Sequence, residues 1–178
     1  MSYNNNCFMK SLLALSLVVI VGFLAACASS HQGVALGPVG PAPFEHARHT
    51  SQGELVVYSA LQVGNSSDQN AATHHEGYEI FSADGTRLKY VNNWVTTFTQ
   101  DPAVVALSPG RYVVAARAMG NGTVKVSVVI EAGKTTGVHL DGSQPATPAQ
   151  EPSEAQWARL PDGRIIGWRA IGEDESNH

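Results

Sequence analysis

The clearest pattern in the chain has a period of two. In Thr123–Glu131, Val124, Val126, Val128 and Ile130 fall on one face, and Lys125, Ser127 and Glu131 on the other. Successive side chains of a strand point to opposite sides, so this is a strand with one buried face. Arg111–Arg117 repeats the pattern with Tyr112, Val114 and Ala116, and Glu54–Val63 is rich in Val, Leu and Tyr. Gly77–Ser82, Arg87–Asn92, Val104–Leu107 and Thr136–Leu140 bring the expected short strands to seven. The breaks between them carry turn chemistry: Ala83-Asp84-Gly85, Ser108-Pro109-Gly110-Arg111 in the form of a type II turn, Asn121-Gly122 as a hairpin signal, and Ala132-Gly133-Lys134. No amphipathic helix interrupts them. The expected fold is all-β, a single seven-stranded antiparallel β-sandwich over residues 53–142, long enough for one core and not two.

A different pattern precedes it. Lys10 is followed by an uncharged apolar run, Ser11–Phe23, and then by Leu24-Ala25-Ala26-Cys27. One basic residue, an apolar run and small residues form the layout of a secretory signal peptide, expected as an N-terminal signal helix over 1–26. Ser11–Ala26 is shorter than the roughly 20 residues that span a bilayer as a helix. Met9-Lys10 begins this layout cleanly, so translation from Met1 and from Met9 both accommodate it. Leu24-Ala25-Ala26-Cys27 resembles the lipobox of bacterial lipoproteins. That resemblance implies cleavage between Ala26 and Cys27, a diacylglycerol and palmitate-type acylation on Cys27, and retention at a membrane. Ala28, where an aspartate would signal the inner membrane, implies the outer membrane of the cell envelope.

The remaining segments lack a sustained period. Residues 27–52, rich in Gly, Pro, Ala, Ser and His, read as a flexible tether. Residues 143–154 read as a Pro-rich linker. In the tail, 155–178, Trp157–Leu160 and Arg164–Trp168 flank Pro161-Asp162-Gly163, a short hairpin in which a bulge at Gly163 would set Leu160 against Arg164 and Trp157 diagonal to Trp168. An isolated two-stranded hairpin is marginal in water, so its apolar face predicts docking on the sandwich or on a partner.

Composition acts mainly by exclusion. Lys and Arg number 11 against 15 acidic residues, and loss of residues 1–26 removes one Lys and no acid, moving the net charge from −4 to −5. An acidic domain without a basic stripe excludes nucleic acid as the expected partner and offers no polybasic membrane patch. Of two cysteines, Cys7 precedes the cleavage point and Cys27 carries the lipid, so no disulfide scaffold or cysteine nucleophile is expected.

The candidate chemistry is sparse. His46-x-x-His49 and His74-His75-Glu76 lie on expected loops, and a zinc site needs three or four rigidly held ligands, so no metal and no cofactor are expected. Gly133-Lys134-Thr135 ends like a phosphate-binding loop, but Val128 stands where that loop needs glycine and a strand follows where it needs a helix. No Gly-x-Ser-x-Gly elbow occurs. In Asn92-Asn93-Trp94, an indole flanked by amides could stack on a sugar ring while the amides bond its hydroxyls, making these three the candidate ligand-binding residues. Tyr58, Tyr78, Tyr90 and Tyr112 are expected in the core or half-buried.

Leu107-Ser-Pro-Gly-Arg-Tyr-Val-Val and the stretch Val124–Leu140 resemble the C-terminal half of carboxypeptidase regulatory-like domains, over about 35 residues. The resemblance implies a prealbumin-like or immunoglobulin-like sandwich without shared catalytic residues. The early glycine-rich pattern of such domains is missing from the first half. These expectations combine into a non-enzymatic envelope lipoprotein, held to the membrane through Cys27 and acting as a structural or protein-interaction module. A carbohydrate-binding module on the envelope is the alternative.

Overall fold

A computed structural model describes residues 33–63, 73–93, 101–147 and 153–171. The expected signal helix, the cleavage point at Ala26 and Cys27, and Trp94 lie outside the described residues.

The chain is all-β, with one short 3-10 turn at Glu154–Gln156 among the described residues. Its strands are β1 (Gly33–Val34), β2 (Val39–Gly40), β3 (Gly53–Tyr58), β4 (Leu61–Val63), β5 (Thr73–His75), β6 (Tyr78–Ser82) and β7 (Arg87–Val91). They continue with β8 (Val104–Leu107), β9 (Gly110–Ala118), β10 (Gly122–Ile130), β11 (Thr135–His139), β12 (Trp157–Arg159) and β13 (Ile165–Arg169). An eight-stranded sheet runs β12-β13-β2-β10-β9-β6-β7, with β1 also on β10. A three-stranded sheet runs β11-β3-β8, and β4 pairs with β5.

The alternation read from the sequence sets the core. Val124, Val126, Val128 and Ile130 of β10 and Val114 and Ala116 of β9 are buried, while Lys125 and Ser127 are exposed. They meet Leu55 and Val57 of β3, Val105 of β8 and Val138 of β11 in one cluster that both larger sheets share. Each such side chain contributes about 1.5–3 kcal/mol when fully buried. Tyr112 stays half-buried because its hydroxyl donates to the Ser108 carbonyl four residues back at 2.9 Å, as in the tyrosine corners of β-sandwiches. Tyr90 departs from expectation: it sits on edge strand β7 and is 55% exposed.

The single seven-stranded antiparallel sandwich is replaced by three sheets of mixed pairing. β1 and β2 run parallel to β10, and β11 runs parallel to β3. The physical reason lies in the N-terminal segment. Residues 33–40, part of the stretch expected as a flexible tether, fill the open edge of β10: Gly33 pairs with Val124, Val34 with Lys125 and Val39 with Val128. Their strand character comes from the ladder groups that β10 offers, which no periodicity in Gly-Val-Ala-Leu-Gly-Pro-Val-Gly advertises.

The C-terminal hairpin closes on the same segment. β13 pairs antiparallel with β2, Trp168 against Gly40 and Arg169 against Val39, while Leu36 bridges Arg159 of β12. The N-terminal segment therefore touches both edges of the hairpin, and the sandwich itself is the docking surface. At the contact a Cβ on Gly40 would lie 2.8 Å from the Ala170 Cα, and one on Gly167 would lie 2.6 Å from Val39 and 2.8 Å from the Gly137 carbonyl. Only glycine permits that approach. The hairpin register also differs from expectation, since Trp157 lies directly opposite Trp168 with ring centroids 4.2 Å apart, the bulge falling at Ala158/Arg159. Leu160 does meet Arg164, through its backbone N–H at 2.9 Å.

Two turns differ as well. Gly110 is already the first residue of β9, opposite Ile130, with φ 153°, so Ser108-Pro109-Gly110 is not a type II turn. Gly122 pairs with Ala118, leaving the three-residue loop Met119–Asn121, with Gly120 and Gly122 both at positive φ.

Candidate functional site

The outer face of the three-stranded sheet carries the site. Along β3 the alternation buries Leu55 and Val57 and turns Glu54, Val56 and Tyr58 outward; along β11 it turns Thr135, Gly137 and His139 outward. Parallel pairing sets His139 beside Tyr58, and their rings stack with centroids 4.4 Å apart and planes 11° apart. Gly137 presents no side chain and leaves the floor open. A groove of about 380 Å³ results, lined also by Ala42, Phe44, Glu45, Pro145, Ala146 and Trp168. Phe44 meets Trp168 edge to face at 5.5 Å and remains 44% exposed. Trp168, wedged between Phe44 and Trp157, is 5% exposed and donates its indole N–H to the Ala146 carbonyl at 3.3 Å.

The electrostatics are mild. Glu45 accepts the Thr135 backbone N–H at 3.1 Å, which fixes a carboxylate at the rim. Burial holds the His139 imidazole below its ordinary pKa, and the Asp141 carboxylate pulls the other way. Ser143 lies between them: its hydroxyl donates to Asp141 at 2.6 Å, so the His139 Nδ1 at 2.8 Å is the donor to the Ser143 oxygen. A base that activates a nucleophile must accept the hydroxyl proton. Here the hydroxyl proton goes to the carboxylate.

A second serine and histidine meet in the interior. His75 Nδ1 donates to the Ser59 carbonyl at 2.6 Å, and the Ser59 hydroxyl donates to the Glu76 carbonyl at 2.5 Å. Asn93 completes the network, giving one amide hydrogen to the Val57 carbonyl at 2.7 Å and the other to Ser59 Oγ at 3.0 Å, and accepting the Ala103 N–H at 2.9 Å. Ser59, His75 and Asn93 are all buried. The network ties β3 to the segments before β6 and β8.

The candidate residues read from the sequence thus separate. Asn93 is buried and bonded within the chain, Asn92 is exposed, and Trp94 lies outside the described residues. His46 and His49 are exposed, and among the described residues no group of three or more metal-binding side chains forms. At Gly133-Lys134-Thr135 the backbone N–H groups go to Gln52 O, Glu131 O and the Glu45 carboxylate, leaving no phosphate cradle. Tyr58, His139, Phe44 and Trp168 were the residues missed as a group. The outward positions of Tyr58 and His139 were readable from strand alternation, whereas Phe44 and Trp168 reach the groove only through the docking of both chain ends. Comparison with known proteins finds no matching family model, no similar curated protein and no similar solved structure.

Proposed function

We propose that the chain is a lipid-anchored, non-enzymatic envelope module that binds a protein segment in the groove over β3 and β11. The anchor rests on the resemblance of Leu24-Ala25-Ala26-Cys27 to a lipobox, and several acyl chains on Cys27 would hold where one is marginal. The observation that carries the binding role is the groove's build: an apolar floor with Tyr58, His139 and Phe44 partly open to solvent. The chain supplies a first example of the fitting ligand, since Pro145 is buried there and the next carbonyl, of Ala146, takes the Trp168 indole N–H. An extended, proline-bearing backbone meeting an aromatic wall and an indole donor is a recurring mode of peptide recognition. The favoured occupant is an extended, proline-bearing segment of an envelope protein, running beside Pro145–Ala146.

The carbohydrate reading stands second, favoured by the stacked Tyr58–His139 pair beside the Glu45 carboxylate, an aromatic face and an acceptor within one groove. Parallel peptide and glycan arrays probed with the mature domain test both. Peptide binding lost in Tyr58→Ala and Phe44→Ala supports the first reading; glycan binding lost in the same variants replaces it with the second; no binding on either array overturns the groove as a ligand site. For the anchor, Cys27→Ser is expected to release the protein from the membrane fraction, and retention of that variant would overturn it.

A further inference from the structure

The hydrogens around His139 decide which kind of group the groove can hold. The Ser143 hydroxyl carries one hydrogen and the Asp141 carboxylate at 2.6 Å has none to give, so that hydrogen lies between them. His139 Nδ1 therefore brings its own hydrogen to the Ser143 oxygen at 2.8 Å. A neutral imidazole has a single N–H, which leaves a lone pair on Nε2. That nitrogen leans along β11 over Gly137, where an added Cβ would lie 3.5 Å from it, so it stands above the part of the groove floor that lacks a side chain. Stacking on Tyr58 holds the ring in this place.

Three donors of the groove are meanwhile engaged within the chain. The Trp168 indole N–H goes to Ala146, the Thr135 backbone N–H to Glu45 and the Thr135 hydroxyl to Glu54. Two acceptors line the opening, His139 Nε2 and the Glu45 carboxylate.

We infer that His139 sets the polarity of recognition: Nε2 accepts an N–H of the bound segment, and the groove loses that segment when the imidazole gains a proton. The inference rests on the groove binding a protein segment, as proposed above. A protonated ring carries N–H on both nitrogens, so the bound N–H would then face another donor. Burial favours the neutral form and Asp141 opposes it, which places the loss below the ordinary histidine range. The other titratable or charged groups around the ring are Tyr58 on β3, with His75 edge to face against it, and Glu45 on the N-terminal segment; the Arg48–Glu54 pair lies at the Thr135 end of β11. Ser143 is a positioning residue, acting through His139 by fixing which nitrogen bears the hydrogen.

The experiment uses the full chain in detergent micelles with isotope-labelled histidine. The probes are acetyl-Ala-Xaa-Pro-Ala-amide peptides carrying each amino acid at Xaa, and copies of the binders methylated at each backbone nitrogen in turn. Without peptide, nitrogen resonances are expected to show His139 protonated at Nδ1 and bare at Nε2 at neutral pH, with Ser143→Ala moving hydrogen toward Nε2. Affinity is expected to fall several-fold from pH about 7.5 to about 5 in the wild type and to stay level in His139→Gln. Methylation of one backbone nitrogen should weaken wild-type binding several-fold. Four results overturn this inference and leave the groove as a peptide site: binding that is unchanged or stronger in acid, a pH dependence that persists in His139→Gln, indifference to methylation at every position, or a neutral His139 with its hydrogen on Nε2. No peptide bound at any pH overturns the groove reading and the inference with it.

Discussion

Asn92 and Asn93 are neighbours of one chemical type with opposite situations. Asn93 satisfies a carbonyl, a hydroxyl and an N–H in the interior, whereas Asn92 is exposed. Removing one partner of a buried bond leaves the others unsatisfied, at about 1–3 kcal/mol. Asn93→Ala is therefore expected to lower the urea midpoint by that equivalent, with Asn92→Ala unchanged within error. Tyr78 gives the converse case. It is fully buried, its hydroxyl has no hydrogen-bond partner among the described residues, and burial pushes its pKa well above the ordinary value. Tyr78→Phe removes an unsatisfied group and is expected to be neutral or stabilising at pH 7. The folded state resists ionisation, so the wild type should lose stability as pH rises through about 10, the unfolded tyrosine's value, more steeply than Tyr78→Phe. Alternation placed Tyr78 in the core correctly and said nothing of its orphaned hydroxyl. Likewise, the burial that separates Asn93 from Asn92 arises from strand ends that meet only in three dimensions.

Among the elements, long strands were legible and short ones were not. β9 and β10 match their expected bounds within a residue at each end because nine residues of alternation carry a period, and Val104–Leu107 matches its bounds as a short apolar run between turn residues. β1, β2 and β5 have two or three residues each, too few for any period, while β4 falls inside the expected Glu54–Val63 strand, which the structure breaks at Ser59-Ala60 into β3 and β4. The tail hairpin was legible from its turn, but its register was not. The Trp157–Trp168 pair forms because the bulge sits in β12 rather than at Gly163. Replacing either Trp by Ala should cost about 3–5 kcal/mol, the usual range for a buried aromatic, read by chemical denaturation. Gly167→Val should be similarly damaging through overpacking against Val39 and the Gly137 carbonyl, while Gly163→Ala strains only a turn whose Cβ position is open.

For the described fold as a whole, the 33–40 segment and the C-terminal hairpin form one structural unit. Deleting 33–40 and deleting 155–178 each remove the contacts that join the two segments, so the double deletion is expected to cost less than the sum of the single ones in calorimetry. Additive losses would show that the two segments dock independently. The groove gives a second test at this scale. Burial depresses the His139 pKa, so the unfolded chain takes up a proton near 6.5 that the folded chain refuses, and stability should fall as pH drops through that value. His139→Gln should flatten this part of the pH profile. All-β architecture and the main core were readable in the alternation of β3, β9 and β10. The groove was not, because half of its wall is built from segments whose composition signals linkers.

The pairing of Val39 with Arg169 joins residues about 130 positions apart, and it fixes an order of events. The strand that emerges first from a ribosome or an export channel cannot complete its contacts until the last-made hairpin arrives. Contacts of such long separation carry the loop-closure entropy that slows folding. Until then the Leu36–Gly40 stretch has lost the partners on one side, and β10 has an edge capped only by the short ladder it forms with that stretch. A chain cut short before Trp157 would leave that edge incompletely covered, which makes the hairpin a marker of completeness: protease sensitivity near residues 33–40 should distinguish nascent or truncated chains from finished ones.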